Sequence, residues 1–185
     1  MQDLETLQPL IEARDWPKAE RLLRRAADAK GAPPQVHHNL AKVLEAQGKP
    51  LSQRRTWLKR ALSLDAAYAR AWLELGRLEI EAEAWQPACA ALEKAVALAP
   101  NDQDARRLFA RVALRLGLWA EVLEAAASMP GDTEAKVLAY RARTELGEPT
   151  LGALCDLIAA PATRQTAIAV MTRTAKGRIP RRLPI

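Results

Sequence analysis

Leu75, Leu78 and Ala82 recur three to four residues apart, which places them on one side of a helix. The same spacing returns along most of the chain. Leu4, Leu7, Leu10 and Ile11 form such a stripe near the start, and Leu151, Leu154 and Leu157 form another near residue 155. Between the stripes stand short polar breaks: Lys30-Gly31-Ala32-Pro33-Pro34, Gly48-Lys49-Pro50, Pro100-Asn101-Asp102 and Met129-Pro130-Gly131-Asp132. Proline cannot continue a helix, and Asn or Asp after it offers a cap for the next one. No run alternates Val, Ile, Thr and aromatics in the way a strand would. The pattern predicts an all-α chain of many short helices.

The helices repeat. Trp119 follows Trp85 by thirty-four residues, and Ala95-Val96-Ala97-Leu98 follows Ala61-Leu62-Ser63-Leu64 by the same interval. A fixed period in the thirties marks stacked two-helix units rather than one closed core. Trp16-Pro17-Lys18-Ala19 and Trp85-Gln86-Pro87-Ala88 open second helices in the same way. The phase gives units of about 1–33, 34–68, 69–102, 103–132 and 133–161. The second needs one inserted residue, and the fourth is about four residues short. A further amphipathic helix over 162–175, with Ile168 and Met171 opposite Arg164 and Arg173, suits a terminal cap. A basic, proline-containing tail follows at 176–185.

The unit from Ala69 to Asp102 carries Trp72, Leu75, Gly76, Ala88, Leu92, Ala95 and Pro100. It resembles the tetratricopeptide repeat, with the pattern W-x₂-L-G-x₂-Y, then A-x₃-F, then P. Glu79 stands where Tyr is usual, and Leu92 where Phe is usual. The resemblance covers residues 1–161. It implies a right-handed helical-hairpin solenoid of about five helix pairs plus the cap, with ligands held on the concave side lined by first helices.

That implication directs attention to first-helix positions. The ninth residue of four successive units is Lys42, Arg77, Arg111 and Arg141; neighbouring inward positions add His38, Arg70, Arg107 and Arg115. Arginine suits bidentate pairing with carboxylate or phosphate. Inward acids Glu45, Glu81, Asp104 and Glu145 offset part of this ladder. Some members of the family hold the terminal carboxylate of chaperone tails in a clamp of basic residues and asparagines. Asn39 is the lone first-helix asparagine within a repeat here, so that clamp is not expected.

Composition narrows the classes. The net charge of +6 and a pI near 9.7 favour acidic or polyanionic partners. Cys89 and Cys155 lie far apart, with no zinc or redox spacing. His37-His38 lacks a second ligand pair, no Gly-rich phosphate loop is present, and no nucleophile has a placeable histidine base. The tryptophans read as packing residues. The expectation is therefore a cytoplasmic, non-enzymatic protein-interaction scaffold or adaptor. It would need no metal and no cofactor, span no membrane, and hold an acidic or extended peptide segment in a basic concave groove. The second reading is nucleic-acid binding, through the arginines and the tail residues Lys176, Arg178, Arg181 and Arg182. The third is a docking or regulatory arm of a larger enzyme.

Overall fold

The computed structural model describes residues 6–161 together with 164 and 165. Ten helices lie among the described residues, and no strand does. The expected cap helix (162–175) and basic tail (176–185) fall outside them, apart from residues 164 and 165. The chain divides into two compact units, Met1–Glu83 and Ala84–Ile185.

The first unit contains α1 (Leu7–Glu12), α2 (Trp16–Asp28), α3 (Pro34–Ala46), α4 (Leu51–Leu64) and α5 (Ala69–Glu81). Each packs on the next in chain order. The buried positions are the periodic ones: Ala19 and Leu23 on α2, Leu40, Ala41 and Leu44 on α3, Leu58 and Ala61 on α4, Leu75 and Leu78 on α5. Alanines let the helix axes approach, and the leucines fill the space between them. Proline opens α2 and α3 within their first two positions, where a missing N–H costs nothing.

The second unit contains α6 (Trp85–Leu98), α7 (Gln103–Leu116), α8 (Trp119–Ala127), α9 (Thr133–Glu145) and α10 (Leu151–Ala159). Again each packs on its successor, and α7 also touches α9. Ala110, Ala113, Val122, Val137, Leu138, Ala142 and Leu154 build its core. Asp102 accepts from the N–H groups of Asp104 and Ala105, and Asp132 from that of Ala135. The caps expected from the Pro-Asn-Asp and Pro-Gly-Asp breaks are therefore in place. The helix α8 has nine residues where α4 and α6 have fourteen.

The turn that leads from a first helix into a second is made the same way throughout. A left-handed residue sits two or more positions before the second helix: Arg14, Gly48, Glu83, Gly117 and Gly147, with φ between 53° and 78°. In four of the five turns the next N–H reaches back five residues, closing the helix end: Asp15 to Leu10, Lys49 to Leu44, Leu118 to Ala113, and Glu148 to Arg143. Glycine takes this conformation freely; Arg14 and Glu83 are held in it at a cost of about 1 kcal/mol each.

Candidate interaction face on the first helices

In the first unit the column residues Lys42 and Arg77 meet a shared carboxylate. Lys42 on α3 donates to Glu74 on α5 at 3.0 Å, and Arg77 donates to the other Glu74 oxygen at 3.1 Å. Lys42 also pairs with Glu45 on its own helix. Burial alone would lower the Lys42 pKa, but Glu45 and Glu74 outweigh it and hold the ammonium charged. Lys42 keeps 41% of its side chain exposed. It stands at the rim of an open apolar notch of about 300 Å³ formed by Ile11, Trp16, Val43 and Ala46, with Asn39 beside it. Arg70 is exposed and makes no ion pair among the described residues.

In the second unit the pattern repeats on α7. Arg107 donates to Asp132 at 2.6 Å and to Asp104 at 3.3 Å. One turn on, Arg111 forks onto Glu134 through both Nε and Nη2. Asp132 and Glu134 belong to the start of α9, where carboxylates also suit the helix dipole. Burial alone would raise the Asp132 carboxyl. The Ala135 N–H and the Arg107 guanidinium reverse this and hold it below the usual carboxylate range. Arg107 and Arg111 line an open depression of about 740 Å³ with Gln103 and the Ser128–Thr133 turn. Half of the Arg111 side chain faces solvent.

The other positions of the column play different parts. Arg141 is buried (3% exposed) and bonds to Glu145 on its own helix. Arg115 lies over the Trp85 ring at 4.0 Å from its centroid. His38 is part-buried edge-on to Tyr68, with centroids 5.4 Å apart. Burial pushes its pKa down, against the pull of Asn39 and Glu74. Its neighbour His37 is buried and stacks on Trp57 at 5.7 Å, while Arg24 and Arg60 flank the same ring. Trp57 thus packs.

Of the acids expected to offset the ladder, Glu45, Asp104 and Glu145 do pair with column residues. Glu81 instead receives Arg54 from α4, which also reaches Glu45. Sequence reasoning missed Glu74, Asp132 and Glu134, the acids that meet the ladder from the next first helix. Their partners lie 23 to 32 residues away, and only the i,i+3 spacing of Glu74 to Arg77 is a local signal. Glu79, the departure from the repeat pattern, is buried and accepts two bonds from Arg55 of α4, at 2.7 and 2.8 Å. An ion pair occupies the place of the usual aromatic.

Among the described residues no group of three or more His, Cys, Asp or Glu side chains is placed to hold a metal. No helix among them is long and apolar enough to cross a membrane. The sequence matches no protein-family model and no curated protein. Solved structures do match. YrrB, described as a TPR protein with an unusual peptide-binding site, superposes with a TM-score of 0.77 at 18% identity, over 92% of this chain and 90% of that one. The MamA protein gives 0.70 at 20% identity, over 98% and 96%. A chain in the structure of Naa15/Naa10 bound to HypK-THB gives 0.67 at 18%, over 85% of this chain and 24% of that one. The fold is accordingly the tetratricopeptide-type helical-hairpin solenoid.

Proposed function

We propose that the chain is a protein-interaction scaffold that holds acidic, extended peptide segments against the first helices within each of its two units. The observation that carries this reading is the recurrence of partly exposed cations beside open surface: Lys42 at the apolar notch, and Arg107 and Arg111 along the α7 depression. An apolar side chain in the notch and carboxylates at the cations match a peptide better than a uniform polyanion. The fold supports a binding role, since one structural neighbour is described by its peptide-binding site and another lies in a complex with a further protein. Arg77 and Arg70 extend the contact surface. Arg141 and His38 serve as braces beneath it, and Arg115 covers Trp85 at the surface. The intramolecular acids make the site competitive: a partner carboxylate must displace Glu74, Asp132 or Glu134, so affinity is modest and selectivity comes from register.

The test is fluorescence anisotropy with a labelled 12-residue peptide, rich in Glu and carrying one central Leu. The comparison is wild type against Lys42→Gln/Arg77→Gln and Arg107→Gln/Arg111→Gln. Glutamine keeps helix propensity and length while removing the charge. Each pair should weaken binding to its own unit about tenfold and flatten the salt dependence of that binding. Unchanged affinity and salt slope in both variants would overturn the proposal. Tighter binding of an equally long oligo(U), with a log–log salt slope near −0.7 per phosphate, would favour the nucleic-acid reading instead.

A further inference from the structure

The shortness of α8 leaves a second surface, away from the column. On the side of α9 opposite Arg141, an open slot of about 320 Å³ is lined by Leu123, Met129, Ala135, Ala139, Ala153 and Leu157, from α8, α9, α10 and the turn after α8. A second helix of fourteen residues would run on past Ala127; here the chain turns away at Met129-Pro130-Gly131. Ala126, Ala127, Ala135, Ala139 and Ala153 keep much of the wall short, so the slot accepts large apolar side chains from outside. Its polar rim is formed by Lys136, Arg143 and Asp156.

Lys136 and Arg143 are seven residues apart on α9. They lie on one face, about 10 Å apart along the axis, and Arg141 is about 160° round the helix from Arg143. Lys136 makes no ion pair among the described residues, and Arg143 makes one long contact of 3.7 Å with exposed Glu148. The slot lining thus carries two cations against one acid, Asp156; Glu148 offsets Arg143 from a distance, and Lys136 is the cation with no ion pair among the described residues.

We infer that this slot docks an acidic amphipathic helix of a partner protein, with two apolar side chains in the slot and carboxylates two turns apart on Lys136 and Arg143. Charge selects this occupant. Residues 158–185 of this chain carry six Lys or Arg and no Asp or Glu, so the chain's own terminal segment would bring like charge to the rim. A second copy carries a net charge of +6 and is disfavoured for the same reason. Helix-in-groove recognition of this kind uses apolar anchors three and four residues apart, and acids flanking them supply orientation.

The experiment titrates full-length, methyl-labelled protein with a capped 15-residue Ala/Gln helix. That peptide carries Glu at two positions seven apart and Leu three and four residues after the first Glu. A second peptide has Lys in place of both Glu. The Glu peptide should shift the methyls of Ala135, Ala139 and Ala153. It should bind about tenfold more tightly than the Lys peptide, and about tenfold less tightly to Lys136→Glu/Arg143→Glu. Ala139→Trp, which fills the slot, should abolish the shifts; the rim variant keeps the test valid if the tryptophan variant does not fold. The first-helix variants Arg107→Gln/Arg111→Gln should leave this binding unchanged. Several results contradict the inference: equal affinity for the two peptides, shifts confined to the first-helix face, an unaffected rim variant, a dimer that Ala139→Trp dissolves, or cross-links from the slot to residues 166–185 of the same chain.

Discussion

Glu79 departs from the repeat pattern, and its environment explains why the departure is tolerated. A buried carboxylate without a partner is expensive, and Arg55 removes that cost with a two-pronged bond. Arg55→Leu should therefore destabilise the protein by about 2 kcal/mol, by leaving the buried Glu79 carboxylate unsatisfied. Restoring the aromatic with Arg55→Leu/Glu79→Tyr should recover most of that loss in urea denaturation. The strained turn residues give the opposite sign. Arg14→Gly and Glu83→Gly should each stabilise by up to about 1 kcal/mol, because both residues hold a left-handed φ that glycine adopts freely. The histidines make stability depend on pH. Burial, and Arg60 beside it, hold His37 below the usual 6.5, and burial does the same to His38. The unfolded chain therefore takes up protons first as pH falls. Stability is full above about 6.5 and is lost as pH drops below it towards the lower folded values. Thermal melts at pH 7.5 and 5.5 should show the drop, and His37→Gln/His38→Gln should remove most of it.

At the scale of helices, much was legible in the sequence, because what fixes a helix is local. Pro17, Pro34 and the Asp102 and Asp132 caps mark starts, and Gly48, Gly117 and Gly147 mark ends. The apolar stripes name the buried faces. The tryptophans at 16, 85 and 119 each open a second helix. What could not be read is lateral. Whether Arg111 faces solvent or forks onto Glu134 depends on how α7 and α9 pack, and the same holds for Lys42 and Glu74. The position of Arg141 in the column did not reveal its burial, which neighbouring helices impose. Asp132 gathers these effects in one residue, as the cap of α9 and the partner of Arg107. Asp132→Ala should cost about 1–2 kcal/mol through the lost cap. It should also release the Arg107 side chain on α7, and faster amide exchange in the first turn of α9 checks the lost cap.

For the whole molecule, the positive charge and the repeat fold together direct the reading towards acidic protein segments. The cations of the proposed site are already tied to acids of the same or the neighbouring first helix, so binding there would be an exchange of partners. That exchange predicts a salt-sensitive interaction of modest affinity. The most direct measurement is a nuclease-treated pull-down from the native lysate, with wild type and a still-helical Lys42→Gln/Arg77→Gln/Arg107→Gln/Arg111→Gln variant side by side. The account predicts a protein captured by wild type, released by raised salt and lost with the variant. Capture of the same protein by both forms, with the same response to salt, would contradict it.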